Sequence, residues 1–397
     1  MSIRHLLLLC YFGPILIGAQ TWSEIDSFPG SSRDDAVSFK IGDTVYCGTG
    51  IETGWTATRD FYAFDCTTEN WMQVSSLPNG EGRQYASGWS YNGKGYVFGG
   101  RANGQHFNDL WKYDPEADSW SELTALPYVG RSGAHSFVIQ DEVFIAGGQT
   151  DNSDAKDEVW KYDLSTDTWI QLQNLPFGGR WRGTAEVIKD TAYLIAGRTA
   201  NGHFPDSVFR YLPSTDEWEF ESTTPFSGRA YLKSTVINGK IVICFGLDSL
   251  NQSYNDVWHY DVNANQWEQE VSLPAVDRRG GLAFSHNMAL YYTTGIDKNN
   301  DRLTQTWKLE NATSVEKHNN DMTWKVFPNP TSEIIHVKRN PALIQTQLRI
   351  FDMNGQIMLS ELIEEPAKTI DVSDLPAGFY VVKIEGEETE WKKFVKL

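Results

Sequence analysis

The chain has 397 residues, of which 40% are hydrophobic and 22% charged, and its formal net charge is −18. These values are typical of a folded globular protein with room for more than one domain. The acidic balance argues against a general nucleic-acid binder, because such a protein needs a basic surface to meet phosphate groups.

The first predicted element is a signal peptide over residues 1–19. Arg4 and His5 give a positive start, and an apolar run of 12 residues follows, from Leu6 to Ile17. That run is too short to span a bilayer, and the small residues Gly18-Ala19 offer a cleavage site. A buried first strand is the alternative explanation of the run. No other segment predicts a transmembrane span.

Three cysteines follow the predicted cleavage site: Cys47, Cys66 and Cys244. Their number is odd, and an exported domain of this size needs no disulfide scaffold. We therefore expect them to act as small apolar residues within strands.

Six tryptophans then divide the chain into equal steps of 49 residues: Trp22, Trp71, Trp120, Trp169, Trp218 and Trp267. A fixed period of this size indicates a repeat architecture. Each unit contains four short runs of alternating polar and apolar residues, which predict four antiparallel strands. Two further aromatic ladders keep the same period, and we expect them to pack in the core between stacked sheets.

The glycine pairs Gly99-Gly100 and Gly147-Gly148, followed by a tyrosine and a tryptophan at fixed offsets, resemble the kelch motif. The resemblance runs from about Thr21 to Glu310, although the first glycine of the pair is replaced in the other four units. It implies an all-β, six-bladed kelch β-propeller over residues 20–310.

The two ends of the repeat region predict how the propeller closes. The sixth unit lacks its tryptophan, since the next position in the period is Glu316, and its fourth strand is therefore missing. A surplus strand stands before the first complete unit, at Trp22-Ser23-Glu24-Ile25. We expect this N-terminal strand to complete the last blade, because closure removes the exposed edges of an open array.

A polar stretch without periodicity, residues 311–322, predicts a linker, and residues 323–397 form a separate domain. A Phe327-Pro328-Asn329-Pro330 opening precedes several short strands, and Asn354-Gly355 is a hairpin signal between two of them. This pattern predicts a small Ig-like antiparallel β-sandwich. An ordinary adhesive sandwich is the alternative assignment.

The opening, the hairpin, the run from Leu375 to Ile384 and the ending Lys393-Phe394-Val395-Lys396-Leu397 resemble the type A (Por) C-terminal sorting domain of the type IX secretion system of Bacteroidota. The resemblance implies Sec export, passage through the outer membrane and contact with the type IX machinery. The protein would then be extracellular or held at the outer-membrane surface.

An arginine recurs in the loop that enters the first strand of each unit: Arg33, Arg83, Arg131, Arg180, Arg229 and Arg278. In kelch propellers such arginines lie near the mouth of the central channel, so the resemblance implies a basic ring. Guanidinium groups bind carboxylate or phosphate by two-point contacts, which predicts a ligand-binding role. Pairing with Asp34, Asp35, Glu186, Asp277 and backbone carbonyls is the structural alternative.

Other ligand-binding candidates lie on loops expected on the same face. Two loops echo each other, one from Arg101 to Phe107 and the other from Arg198 to Phe204. Trp55 and Trp181 stand outside the aromatic ladders, and either could stack on a sugar ring. Packing of Trp181 inside the channel is an equally good interpretation.

The sequence predicts no metal site and no cofactor. The run from Asp297 to Asp301 lacks the glycine and distal glutamate of a calcium loop, and no His/Cys group has zinc spacing. No catalytic residue can be assigned, although Glu186, His106, His135 and His203 are candidates.

We therefore expect a secreted or surface propeller that binds an extracellular protein or an acidic glycan, rather than an enzyme. One alternative is a carbohydrate-active propeller such as a sialic acid epimerase or mutarotase, which would need a carboxylate or histidine beside the arginines. Another is a structural surface protein.

Overall fold

The computed structural model describes residues 20–78, 82–151, 154–313, 325–327, 330–338, 346–352, 356–363, 367–385 and 390–397. The chain divides into two compact units, Met1–Ser314 and Val315–Leu397. The predicted signal peptide and most of the predicted linker lie outside the described residues. In the described residues, no helix has the length and apolar character needed to cross a membrane.

The first unit contains six four-stranded antiparallel sheets within its described residues, and they correspond to the six sequence units. Their strands, in chain order, are Val37–Ile41, Thr44–Gly48, Phe61–Asp65 and Asn70–Val74 in blade 1; Ser87–Tyr91, Lys94–Phe98, Leu110–Asp114 and Ser119–Leu123 in blade 2; His135–Ile139, Glu142–Ala146, Val159–Asp163 and Thr168–Gln171 in blade 3; Thr184–Ile188, Thr191–Ile195, Ser207–Leu212 and Glu217–Thr223 in blade 4; Lys233–Ile237, Lys240–Cys244, Val257–Asp261 and Gln266–Gln269 in blade 5; and Leu282–His286, Ala289–Thr293 and Thr306–Leu309 in blade 6.

The N-terminal strand Trp22–Ile25 completes blade 6, as the sequence predicted. It pairs antiparallel with Thr306–Leu309, with Trp22 opposite Leu309 and Ile25 opposite Thr306. The first strand of every blade contacts the first strands of both neighbouring blades, and blade 6 contacts blade 1 in the same way. The sheets therefore form a closed ring, which is the β-propeller architecture.

Four of the six periodic tryptophans hydrogen-bond to the preceding blade, whereas the indole nitrogens of Trp218 and Trp267 have no partner among the described residues. The indole Nε1 of Trp120 donates to the carbonyl of Ser75 in the preceding blade at 2.8 Å, and Trp169 donates likewise to Thr124. Trp71 and Trp22 make the equivalent bonds to Asp26 and Val271. Because each blade buries its apolar face only against the next, the aromatic ladders form the core, as expected.

Short two-stranded ribbons lie on one face of the propeller, beyond the first strands. Arg33–Asp34 pairs with Ile51–Glu52, Arg229–Ala230 with Leu247–Asp248, and Arg278–Arg279 with Ile296–Asp297. Each ribbon joins the loop that enters the blade to the loop between its second and third strands. The two loop sets therefore share one face, here called the loop face, as the sequence predicted.

A closed ring of backbone hydrogen bonds surrounds the channel at the loop face. Six residues, each two positions after a periodic arginine, donate an N–H to the equivalent residue of the preceding blade, over 2.6–3.1 Å. All six have φ between 56° and 65°. They are Asp35, Tyr85, Gly133, Arg182, Tyr231 and Gly280. This left-handed conformation is strained for tyrosine and arginine, and such strain tends to concentrate at functional sites.

The second unit contains two antiparallel sheets within its described residues. One consists of Lys325–Phe327, Ile334–Lys338 and Ala367–Asp371, and the other of Thr346–Phe351, Ile357–Ile363, Gly378–Glu385 and Glu390–Lys396. Buried side chains from both sheets, including Val337, Ile370, Ile350 and Val382, share one core. The unit is therefore a small two-sheet β domain, while the predicted Asn354-Gly355 turn lies outside the described residues.

Candidate functional site

The six periodic arginines, here called the blade arginines, are buried inside the loops, and none is more than 4% exposed. In Arg33, Arg83 and Arg229, both terminal nitrogens contact one aspartate over 2.6–2.8 Å: Asp60, Asp109 and Asp256. Arg131 lies 3.6 Å from Glu158, whereas Arg180 and Arg278 hydrogen-bond Ser207 and Gln305. Nη1 of the first five arginines also donates to the carbonyl of the first position in the kelch glycine pair.

These contacts correct the partners expected from the sequence. Each arginine contacts a residue at the start of, or just before, the third strand of its own blade, not Asp34, Asp35, Glu186 or Asp277, whereas the expected bonds to backbone carbonyls are present. Asp34 accepts instead from Arg302 Nε at 2.5 Å, and Glu186 accepts from Ser234 Oγ at 2.6 Å. Because the guanidinium groups are buried and hydrogen-bond within their own blades, although several of their nitrogens lack a partner, we propose a structural role for the blade arginines.

Arg182, which the ligand-binding candidates did not include, lies at the channel mouth among three aromatic rings. Its guanidinium carbon lies 3.7 Å from the ring centre of Trp181, 4.0 Å from that of Tyr85 and 4.3 Å from that of Tyr231. Its Nη1 also donates to the Tyr231 hydroxyl. Cation–π contacts of this kind stabilise the charge and fix the plane of the guanidinium.

Arg101 and Arg198 lie beside Arg182, and the three form the mouth cluster. Burial lowers the pKa of Arg182 most, Tyr85 and the Asp35 carboxylate raise it, and the charges of Arg101 and Arg198 lower it. Among the described residues, no carboxylate oxygen lies within 4.0 Å of any guanidinium nitrogen of the three. Within the described residues the mouth cluster therefore forms no direct ion pair, although the Asp35 carboxylate acts on Arg182 at longer range.

A carboxylate pair lies on the blade 1 side of the same ring. Asp34 and Asp35 are buried, and Asp34 is paired with Arg302. Burial, followed by the neighbouring Asp35, raises the pKa of Asp34 to about 8. The carboxyl pair therefore comes from blade 1, and the guanidinium groups of the mouth cluster come from blades 2 and 4.

The two tryptophan candidates lie in different environments. Trp55 is 74% exposed at a loop tip, where its ring centre lies 4.8 Å from the guanidinium carbon of Arg302. Trp181 is buried beneath Arg182, so its indole faces protein rather than solvent. Only Trp55 presents an open aromatic face to a ligand.

The four candidates for catalysis also lie in different parts of the propeller. Glu186 and His135 lie in the channel wall, where burial raises the pKa of Glu186 to about 7 and lowers that of His135 to about 4. His106 is buried on the loop face, and its Nδ1 lies 2.6 Å from Asp151 Oδ1. His203 is exposed.

The channel below the mouth holds a cavity of about 160 Å³, lined by first-strand residues that include His135, Thr184, Lys233 and Ser234. The backbone ring lies at its loop-face end.

Three residues at the mouth that were not predicted as site residues share one sequence feature. Tyr85, Arg182 and Tyr231 each follow a blade arginine by two positions, so the repeat register places them in one ring. The predicted ligand-binding arginines occupy the periodic position itself. The ring residues at the mouth occupy the position two residues further on, which varies from blade to blade.

Residues 17–179 and 126–295 match the family model described as the KLHDC2/KLHL20/DRC7 Kelch-repeats domain. These spans cover more than half of the chain, which therefore belongs to the kelch-repeat family. Residues 325–397 match the secretion system C-terminal sorting domain. The protein is thus a kelch propeller with a sorting domain for type IX secretion to the cell surface or the extracellular space.

Among curated proteins, the chain is 33% identical over 130 residues to the N-acetylneuraminate epimerase of Shigella sonnei (strain Ss046), covering 29% of this chain and 33% of that protein. The protein of the same name from Escherichia coli (strain K12) is 32% identical over 130 residues, with the same coverage. The chain thus matches about a third of the length of these relatives.

The solved structure titled "Structure of YjhT" aligns with a TM-score of 0.61 at 20% identity. The alignment covers 70% of this chain and 95% of that one. At this identity, the likeness shows a shared propeller fold.

Proposed function

We propose that this secreted propeller binds an anionic carbohydrate at its channel mouth, through Arg101, Arg182 and Arg198. The observation that carries the proposal is the gathering of three guanidinium groups that form no direct ion pair within the described residues of a protein of net charge −18. Gathering three guanidinium groups costs free energy through mutual repulsion, and a bound anion would offset that cost.

The surroundings of the cluster favour a sugar acid over a bare inorganic anion. The rings of Tyr85 and Tyr231 hold Arg182 from two sides, and Trp55 presents an exposed aromatic face elsewhere on the loop face. Aromatic faces and hydroxyl groups suit a pyranose, while guanidinium forks suit its carboxylate. The name of the curated relatives, N-acetylneuraminate epimerase, supports the same ligand class.

Calorimetric titration with N-acetylneuraminate tests the proposal, with the neutral sugar N-acetylmannosamine as the ligand control. We expect binding of the acid alone, and a loss of at least about tenfold in Arg101→Ala and in Arg198→Ala, because each removes a charge-assisted contact. Arg210→Ala is the matched protein control, since Arg210 lies in the outer part of blade 4 and pairs with Glu219. Equal binding by wild type and both mouth variants would refute the proposal.

A second candidate function is conversion of the bound sugar between isomers, as the name of the relatives suggests for those proteins. The histidine beside Arg101 favours this candidate, because such chemistry needs a group that transfers protons. A protein ligand offering a carboxylate would bind the same guanidinium groups, and it is favoured if N-acetylneuraminate fails to bind.

A further inference from the structure

The cavity inside the central channel is lined by one lysine and by mostly small side chains. It measures about 160 Å³, and the start of the first strand of every blade contributes to its wall. Most of the lining residues are alanine, glycine or serine. Among the described residues that line it, only Lys233 and His135 carry ionisable side chains, and no aspartate or glutamate does. The channel therefore presents an ammonium group to an otherwise uncharged polar space.

The ammonium group of Lys233 has no protein partner within the part of the chain that the structure describes. No carboxylate oxygen lies within 4.0 Å of its Nζ, unlike the lysines that form ion pairs. Lys40, on the first strand of blade 1, does not line the cavity and donates to the carbonyl of Ser285. Lys233 is half-buried and lines the cavity, so its N–H groups are available to a ligand there. An enclosed cation without a partner costs free energy, because protein replaces the water that would solvate it.

The nearest carboxyl groups act on Lys233 only at a distance or belong to other partners. Burial lowers the pKa of Lys233, and the carboxylate of Asp35 raises it without forming an ion pair with it. Glu186, on the first strand of blade 4, accepts from Ser234 Oγ at 2.6 Å. Burial also raises the pKa of Glu186 to about 7, so near neutral pH part of it carries no charge. Neither carboxyl therefore takes the place of a direct counter-ion.

The histidine in the wall suits a hydrated ion. His135 Nδ1 lies 3.2 Å from the carbonyl oxygen of Ala146 and donates to it, so Nε2 keeps its lone pair. Nε2 has no hydrogen-bond partner among the described residues. Burial lowers the pKa of His135 to about 4, so the ring is neutral near pH 7 and can accept from a water. The cavity is several times the roughly 30 Å³ of one liquid water, which leaves room for an ion with part of its hydration shell.

We propose that the central channel binds a small monovalent anion, a halide or a carboxylate of one or two carbons, at the ammonium group of Lys233. One cation in a lining without carboxylates favours a single negative charge, because a dianion would keep an uncompensated buried charge. The cavity is smaller than the roughly 300–1,000 Å³ of pockets for drug-sized ligands, which excludes a sugar acid. The arginines of the mouth cluster do not line this cavity, so the site is additional to the proposed carbohydrate site and does not depend on it.

Chloride NMR line widths measure this binding in solution on the full mature chain. We expect wild type to broaden the chloride signal, and bromide, formate and acetate to reverse the broadening by competition, whereas the longer hexanoate leaves it unchanged. Lys233→Met should weaken chloride binding by at least about tenfold, because it removes the charge-assisted contact. Lys40→Met is the matched control and should bind chloride as wild type does, since Lys40 does not line the cavity.

A crystal soaked in bromide locates the ion. We expect an anomalous difference peak in contact with Lys233 Nζ in wild type and no such peak in Lys233→Met. Methionine has a similar length and no charge, so replacing an unpaired enclosed cation with it should preserve the fold. Melting curves check this point. If Lys233→Met does not fold, the bromide position in wild type decides by itself.

The outcomes separate this site from the mouth cluster. A bromide peak at Lys233, with weakened chloride binding in Lys233→Met, supports the inference. Unchanged chloride binding in folded Lys233→Met overturns it, as does a wild-type crystal without bromide at Lys233. Chloride binding that is lost in Arg101→Ala or Arg198→Ala but kept in Lys233→Met assigns the halide to the mouth cluster and also overturns it. Failure of N-acetylneuraminate to bind, with the bromide peak present, overturns the proposed carbohydrate function and leaves the channel site standing.

Discussion

The blade arginines and the mouth cluster place the same side chain in two different electrostatic settings. Arg229 is buried, and both of its terminal nitrogens contact Asp256. Arg182 is enclosed by three aromatic rings, with Arg101 and Arg198 nearby and no carboxylate oxygen within 4.0 Å in the described residues. Arg229 stands at a position that holds arginine in every blade, whereas Arg182 stands at a position whose residue differs between blades.

The cause lies in the geometry of a blade. Every blade must close its entering loop onto its third strand, so every unit needs a group that bridges the two, and arginine reaches both a carbonyl and a side chain. The ring two residues further on faces the axis, where six side chains compete for one small space. Identical large side chains at all six positions would clash there, and two of the six positions hold glycine.

The largest expected effect comes from removing the carboxylate partner of a blade arginine. Asp256→Ala leaves Arg229 buried with an uncompensated charge, and we expect a loss of about 3–5 kcal/mol in the free energy of unfolding. The control is Glu219→Ala, which removes an exposed partner of Arg210 and should cost at most about 1 kcal/mol. Urea denaturation measures both, and similar losses would contradict the structural role of the blade arginines.

Glu186, a carboxyl that forms no ion pair within the part of the chain that the structure describes, sharpens the comparison from the opposite sign of charge. Burial raises the pKa of Glu186 from 4.5 to about 7. Between these values the unfolded chain releases the proton and the folded chain keeps it, so stability falls as pH rises, by at most about 3 kcal/mol. Glu186→Gln should remove this slope and melt higher than wild type at pH 8 but not at pH 4. If the melting temperatures of wild type and Glu186→Gln differ by the same amount at pH 4 and pH 8, the raised pKa of Glu186 is contradicted.

The smallest expected effect is on the stability of the mouth cluster. Arg198→Ala removes no ion pair and relieves repulsion with Arg182, so the free energy of unfolding should change by less than about 0.5 kcal/mol. Differential scanning calorimetry measures this change. A loss as large as that of Asp256→Ala would show that Arg198 serves the fold and would remove the contrast between the two sets.

Much of the fold could be predicted from the sequence because its signals repeat. The 49-residue period gave six units of four strands, and the unpaired strand at Trp22 with the missing tryptophan at Glu316 predicted closure of the ring. The site was harder to predict, since one register position holds aspartate, tyrosine, glycine, arginine, tyrosine and glycine in turn. Such a position has no periodic signature.

The sequence by itself determined the repeat, the closure, the sorting domain and the face that carries the loops. Only the tertiary structure decided which arginines are paired, because their partners lie 26 or 27 residues away, just before the third strand of the same blade. It also brought Asp151 of blade 3 onto His106 of blade 2 and left His203 without such a partner. The local sequence pattern determines the strands of each blade, whereas contacts between blades depend on how the ring closes in space.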